Sequence, residues 1–377
     1  MVQDHPLRPW LEGQANRIER VCAAHRLHLR DQGGVVTPRL VRFHLALDPS
    51  IPLKRLAALE EDLALALSAP TARLARRDGV LALEVPRPGA ATLSLVRLQA
   101  SLPALPSGTA LLGRDEEGAP LLLRLSAPEV SHLLISGTTG SGKTALVRGL
   151  LTSLALVHDP QELRMVLIDP KGRGFGAFAG LPHVVGGILR EGAAVEKRLT
   201  WLVEEMAWRE ESGVRTPRVV VAVDEVADVV AAAPGCGELL TRLATRGREA
   251  GLHLVLCTQK PTAEAVGSLL RANLPCRLVG RVTSAQEAVV ASGIKGTGAE
   301  RLLGRGDFLL VAGGEVVRFQ AGYVTGEEIG VMVEMLQAEA ARPAALPAPA
   351  AEAAPARGKV IPFPQKWVER VAQALAR

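Results

Sequence analysis

The 377-residue sequence predicts an α/β protein in which a doubly wound, mostly parallel sheet follows a small α+β domain. Three observations predict it. The apolar runs HLLIS, MVLID, VVVAVD and HLVLC lack alternation, as strands buried on both faces do. Helical stretches between these runs supply the crossovers that parallel strands need. Ahead of them, residues 1–107 mix a helical opening with short alternating segments.

The elements follow in chain order. Trp10 to Leu29 carries apolar residues at roughly helical spacing (Trp10, Leu11, Ile18, Val21, Leu29). VRFHLAL alternates, which sets Val41, Phe43, Leu45 and Leu47 on one face of a half-buried strand. LKRLAALEEDLALAL places Leu53, Leu56, Leu63 and Leu67 on a helix face, and GVLALEVP and TLSLVRLQ read as two more strands. SLPALPSG marks the exit. Residues 108–341 then form the doubly wound domain, closing with GDFLLVAGGEVVRFQ as a hairpin that turns at Gly313-Gly314. In residues 342–377, RPAALPAPAAEAAPAR reads as a Pro/Ala linker. After it, Trp367, Val368, Val371 and Leu375 line one short helical face.

Composition narrows the function classes. Apolar residues make up 48% of the chain, ample for a large core. With 4 Trp, 1 Tyr and 6 Phe there are too few rings for nucleic-acid recognition by base stacking. A net charge of +5 permits an anionic partner without requiring one. Cys22, Cys236, Cys257 and Cys276 lie far apart with no CxxC pair, which speaks against a disulfide framework or zinc site and suits a reducing cytosol. The opening MVQDHPLRPWLEGQ has no apolar h-region, and no run approaches 18 apolar residues. A cytoplasmic protein without membrane insertion is expected.

Gly137-Thr138-Thr139-Gly140-Ser141-Gly142-Lys143-Thr144 is a full G-x-x-x-x-G-K-[ST] match, preceded by the strand HLLIS and followed by the helical TALVRGLLTSLAL. Glycines let the backbone curl so that successive N–H groups and the helix N-terminus face phosphate oxygens. Lys143 is placed to reach the β and γ phosphates of ATP, and the Thr144 hydroxyl to ligate Mg²⁺. Farther on, VVVAVDE ends a buried strand in Asp224-Glu225. Asp224 is expected to hold Mg²⁺ and Glu225 to polarise the attacking water. Asp169, in LIDPKG, is either a turn former or a further site acid, and Gln259, in LCTQKP, is placed to sense a γ-phosphate. Arg242, Arg246 and Arg248 read as one helix whose plain role is a solvated basic face.

Taken together, GTTGSGKT, MVLIDPKG, GLPHV, VVVAVDEVADVV, LTRLATRGREAGLHLVLCTQKP, RANLPCRLVGRV and GAERLLGRGDFLL resemble the FtsK/SpoIIIE DNA-translocase motor in order and spacing, over about residues 120–325. The stretch VVTPRLVRFHLALDPSIPLKRLAALEEDLALALSAP is similar to the small domain that precedes this motor. The resemblance implies a RecA-like P-loop ATPase forming a hexameric ring that pumps double-stranded DNA. It also implies that Arg248 is offered to the neighbouring subunit's nucleotide, and it aligns Gln259 with the family's TQ-R-P segment, Lys260 replacing the usual arginine. Where relatives commonly read V-S-S-K-x-D-S-R, this chain has VTSAQEAV, so Ala285 and Val289 supply no charge. Lys260, Arg281 and Lys295 are the substitute DNA contacts.

A minimal motor serving chromosome partition or mobile-element transfer is the resulting expectation, with no membrane segment, no winged-helix module and an unknown protein partner for the tail. Two rivals stand beside it: an FtsK-like ATPase of a secretion system that moves polypeptide, and a DNA-binding scaffold that ATP locks together.

Overall fold

A computed structural model describes residues 7–341 apart from 38–39, 49–50, 78–79 and 90–91. The expected linker and helix of residues 342–377 lie outside the described residues. The chain divides into two units, Met1–Thr92 and Leu93–Arg377.

The first unit sets α1 (Arg8–Ala24) and two short helices, α2 (Leu53–Ala57) and α3 (Glu60–Ala66), against a four-stranded antiparallel sheet. Its strands are β1 (Leu29–Val36), β2 (Leu40–Leu47), β3 (Arg73–Arg77) and β4 (Val80–Pro86), in the order β1-β2-β4-β3. Val41, Phe43 and Leu45 of β2 enter the core with Ile18, Cys22, Leu56 and Leu63, as their spacing predicts. Two expectations shift. Leu29 opens β1 rather than closing α1. The leucine-rich stretch breaks at Ala58-Leu59 into α2 and α3, which leaves Leu53 on the exposed side.

The second unit opens with α4 (Leu95–Ala100), where a strand was expected from TLSLVRLQ. Ser94 decides this locally: its hydroxyl caps the helix by accepting from the Arg97 N–H at 3.3 Å. Leu95 then packs with Leu98 and Leu111 of this unit. The division between the units thus falls at Thr92/Leu93, ahead of the expected residue 107.

The remaining elements form one ten-stranded sheet flanked by helices. In chain order they are β5 (Thr109–Asp115), β6 (Pro120–Arg124), β7 (Leu133–Ser136), α5 (Lys143–Val157), β8 (Leu163–Ile168), β9 (Val184–Leu189), α6 (Gly192–Ser212) and β10 (Arg218–Val223). Next come α7 (Val226–Ala232), α8 (Gly235–Arg246), β11 (Leu252–Thr258), α9 (Ala263–Val266), α10 (Ser268–Ala272) and β12 (Cys276–Val279). The last are α11 (Ala285–Ser292), β13 (Asp307–Ala312), β14 (Glu315–Ala321) and α12 (Gly326–Ala340). The sheet order is β6-β5-β14-β13-β12-β7-β11-β10-β8-β9. From β12 to β9 every neighbour is parallel, whereas β13, β14, β5 and β6 extend the other edge antiparallel.

Why the central runs lack alternation is visible in their packing. Leu133, Ile135, Met165, Leu167, Val220, Ala222, Val255 and Cys257 face one apolar layer. Their in-between neighbours Leu134, Val166, Ile168, Val219, Val221, Val223, Leu254 and Leu256 face another. Successive strand side chains point to opposite faces, and here both faces are covered. The β13–β14 hairpin turns at Gly313-Gly314 as expected, pairing Ala312 with Glu315. Because β7, β8, β10, β11 and β12 are parallel, their C-terminal ends gather at one edge, the place where open α/β sheets bind ligands.

Candidate active site

At that edge the chain leaves β7 through the Gly-rich loop and enters α5. Gly137, Gly140 and Gly142 have φ of 145°, 82° and 103°, a region closed to most side chains. Space is restricted too: a Cβ on Gly142 would stand 2.9 Å from the Gly306 nitrogen. Gly142 is the N-cap of α5 and has no side chain to cap with, so the first-turn N–H groups lack a helical acceptor and face the loop. Lys143 Nζ donates to the Gly137 carbonyl at 2.6 Å and the Thr138 carbonyl at 3.1 Å. Burial pulls the Lys143 ammonium below the usual lysine range, while Cys257, Glu225 and Asp224 act the other way.

Around the loop stand the expected partners. The Thr144 hydroxyl donates to Asp224 Oδ1 at 3.3 Å. Burial raises the Asp224 carboxyl above the usual range, and nearby Asp169 and Glu225 add to the rise. A bound cation would reverse this by favouring the ionised form. Glu225, at φ 76°, is in the left-handed region and caps α7. Its Oε2 accepts the Gln259 backbone N–H at 3.1 Å, while the Gln259 side-chain oxygen accepts the Thr139 hydroxyl at 3.2 Å. Loop, strand-end acid and β11 are therefore joined in one hydrogen-bond chain.

Asp169 proves to be the turn former. Fully buried, it accepts N–H groups from Gly174 at 2.8 Å, Phe175 at 2.9 Å and Arg173 at 3.2 Å. Beside it, Lys171 pairs with Asp228 of α7 at 2.6 Å.

The arginines separate. Arg246 ends α8 and pairs with Glu210, and Arg242 lies exposed on the same helix. Arg248 lies beyond the helix, in the turn before β11, which corrects the single-helix reading. Gly247 stops the helix by turning the chain so that Leu252 donates back to its carbonyl at 2.8 Å. Arg248 therefore precedes β11 and Gln259 follows it. The strand itself has seven residues, which at about 3.3 Å each hold its two ends roughly 20 Å apart. Arg248 and its own P-loop stand at opposite ends of the sheet.

Of the expected DNA contacts, Lys260, Arg281 and Lys295 are all exposed. Lys260 adjoins Gln259, and its charge reaches Glu287 of α11. Arg281 is closer to the site than its sequence position announced: its carbonyl accepts the Thr138 N–H at 2.8 Å and the Thr138 hydroxyl at 3.1 Å. Ala285 is exposed at the start of α11 and Val289 is half-buried on it.

One part of the site carries no role in the sequence reading. Arg305 and Gly306 donate their N–H groups to the carbonyls of Gly140 and Ser141 at 3.1 and 2.9 Å. Gly304, Arg305 and Gly306 all have positive φ (72°, 49° and 94°). Next in the chain, buried Asp307 takes Arg318 of β14 on both carboxylate oxygens at 2.9 and 2.8 Å. This clamp holds the Gly140 and Ser141 carbonyls of the P-loop in backbone hydrogen bonds. The signal for it was the Gly-x-Gly spacing before an acid.

A model of the FtsK/SpoIIIE family matches residues 102–214 and 210–263, and one of the FtsK alpha domain matches residues 3–87. The chain belongs to the FtsK/SpoIIIE family. Among its curated members, the DNA translocase FtsK of Sporosarcina ureae is 29% identical over 86% of this chain and 46% of its own length. The DNA translocase SftA of Bacillus subtilis is 30% identical over 88% of this chain and 37% of its own. The chain thus spans less than half the length of these two family members. Among solved structures, the pCW3 conjugation coupling protein TcpA, in a monomer form with ATPγS, covers 86% of this chain and 99% of its own at TM-score 0.56 and 20% identity. The cytoplasmic domain of the Thermomonospora curvata type VII secretion ATPase EccC covers 66% of this chain and 34% of its own at TM-score 0.56 and 27% identity. The α/β P-loop ATPase fold expected from the sequence is the fold of these neighbours. Among the described residues, no helix is long and apolar enough to cross a membrane.

Proposed function

We propose that this chain is the ATP-driven motor of a hexameric ring that moves along double-stranded DNA in the cytoplasm. Supporting the reading first is the separation of Arg248 from its own P-loop. A site built from one copy has Lys143 to meet phosphate charge, and Arg248 reaches a nucleotide only in a neighbouring copy. Hydrolysis then occurs between subunits, which is how a ring couples one step to the next.

The residues fit ATP and Mg²⁺. The orphan N–H groups of the P-loop and the Lys143 ammonium would cradle the phosphates. Thr144 and Asp224, already within hydrogen-bond reach, would hold Mg²⁺, which supplies charge neutralisation on the phosphate oxygens. Glu225 accepts the proton of the attacking water. Gln259, bonded to Thr139 on one side and Glu225 on the other, reports a γ-phosphate to both. Outside the site, Lys260, Arg281 and Lys295 meet DNA phosphates, contacts that carry no base preference.

The membership of this chain in a family whose curated relatives are called DNA translocases supports DNA as the substrate. Measuring ATPase activity with and without linear duplex DNA, across salt, tests it. Stimulation that declines steeply with salt is expected, together with loss of nucleotide binding in Lys143→Ala. ATPase activity indifferent to duplex would favour the polypeptide-moving reading, which the likeness to EccC keeps in view.

A further inference from the structure

The loop after β8, residues 169–175, is bonded from within and held by three elements around it. Inside it, the Asp169 carboxylate takes the N–H groups of Arg173, Gly174 and Phe175. From α5, Arg148 donates through Nε to the Gly174 carbonyl at 2.5 Å and through Nη2 to the Arg173 carbonyl at 2.6 Å. Arg148 stands one helical turn past Thr144, on the same face of α5. At the end of β10, Asp224 presses on Gly174, where a Cβ would stand 2.6 Å from Asp224 Oδ2. From α7, Asp228 takes the Lys171 ammonium at 2.6 Å.

Each of these elements carries a residue of the site. Lys143 and Thr144 begin α5, Asp224 follows β10, and Glu225 is the N-cap of α7. Asp228 lies in the first turn of α7 and donates its N–H to the Glu225 carbonyl at 3.2 Å. This helix has seven residues and starts from a left-handed Glu225, so its own hydrogen bonds do little to fix its direction. The Asp228 bond holds the Lys171 ammonium above the usual lysine range, and Glu225 and Asp224 add to the rise. Ion pairs open to solvent add little to stability. This one ties a short, strained helix start to the loop that Arg148 fastens to α5.

We infer that Lys171 and Arg148 are positioning residues for ATP hydrolysis: through residues 169–175 they brace the start of α7 against α5, which sets Glu225 at its working distance from the P-loop. The inference rests on the reading of Glu225 as the base. Neither side chain has to touch the nucleotide for this. A carboxylate that takes a proton from the attacking water tolerates little displacement, since a shift of about 1 Å can cost about 10²-fold in rate. The P-loop keeps its own bonds to Arg305 and Gly306 when the brace is cut. Nucleotide affinity and turnover should therefore part.

Steady-state ATPase kinetics of the full chain with linear duplex present, beside binding of a fluorescent ATP analogue and urea unfolding, test this. Lys171→Met should lower kcat about 10- to 100-fold, with nucleotide affinity and unfolding midpoint near those of wild type. Arg148→Lys, which keeps the charge and loses the two-pronged grip, should do the same more weakly. The exchanged pair Lys171→Asp/Asp228→Lys should recover most of the lost turnover, because the tie is remade with its ends reversed. In a Glu225→Gln background, Lys171→Met should cost nothing further. A wild-type kcat in Lys171→Met, or an equal added loss in the Glu225→Gln background, overturns the inference and leaves Glu225 as the base. An exchanged pair as slow as Lys171→Met overturns it too and puts the ammonium on the nucleotide itself. Full turnover in Glu225→Gln alone overturns the reading of Glu225 as the base, and the inference with it.

Discussion

The C-terminal end of β11 meets a half-buried lysine, two acids and a side-chain amide, the loop, Gln259 and Glu225 being tied together through Thr139. At the N-terminal end of the same strand, buried His253 gives Nδ1 to the Ser131 carbonyl at 2.9 Å, and His132 accepts the Leu254 N–H at 3.1 Å. Arg248 stands exposed just before it, 3.9 Å from Glu249. Burial drives both rings toward the neutral form, His132 to about 3 and His253 to about 4, and the Arg248 charge pushes the same way. One end is therefore a polar receptor for phosphate charge. The other is a neutral platform beneath a cation directed outward. On the function proposed above, the two ends of this strand are halves of one reaction site, and they are held too far apart to meet within a single copy.

Four measurements break or sharpen that contrast. Arg248→Ala should bind ATP normally and lose about 10³ to 10⁵ in turnover, the usual worth of an arginine supplied to a phosphoryl transfer. Mixing it with Lys143→Ala subunits should restore part of the activity, because some interfaces then pair an intact loop with an intact arginine. Mixed rings that stay inactive would put both ends of β11 to work within one copy.

Glu225→Gln tests the receptor end, and turnover should drop by about 10² to 10⁴ with ATP binding retained. Ordinary turnover in that variant removes Glu225 as the base.

The histidine platform is read by pH. Both rings have folded values below the ordinary 6.5, so between pH 6.5 and about 4 the unfolded chain takes up protons that the folded chain refuses. Stability should therefore be full above that window and fall as pH is lowered through it, by roughly 7 kcal/mol for the two rings together. Urea unfolding at stepped pH measures this, and a flat profile would mean that the two ends are less different than burial makes them.

The smallest effect belongs to the surface beside the receptor end. Lys260→Ala and Arg281→Ala should each lower the slope of log affinity against log salt by about 0.9, equally on unrelated duplexes. Basal ATPase activity should survive Lys260→Ala. Unchanged slopes would place the DNA path elsewhere.

Legibility followed the number of covered faces. Strands buried on both sides, such as VVVAVD, announce themselves by composition, and the acids at their ends came with them. The strand β3, RLARR, sits at a sheet edge with three arginines, and only its pairing with β4 makes it a strand. LRDQGGVV of β1 is likewise held by β2, with a register shift between Asp31 and Gly34. TLSLVRLQ fits either period, and the Ser94 cap with the packing of Leu95 and Leu98 settles it as helix. In the site, every residue from the P-loop, Asp224, Glu225 and Gln259 was readable because motif and strand end coincide. The remote end of β11 was not. A buried pair such as His132 and His253 shows in sequence only as two histidines far apart, and Arg318 bears no mark of its bond to Asp307.

The backbone bonds from Arg305 and Gly306 to Gly140 and Ser141 bear on how this molecule can be rebuilt. A P-loop cut out and exchanged with that of another ATPase would arrive without the stretch that shapes it. Gly142 leaves no room for a side chain at its contact with Gly306, so the two stretches fit as a pair, although more than half of the second unit separates them in sequence. Grafts that carry residues 304–307 together with 137–144 should keep the cradle's shape. Grafts of either segment alone would have to repack β13 and the buried Asp307–Arg318 pair before they could bind anything. For exchange between relatives, the heritable part is this pair of segments and not the motif by itself.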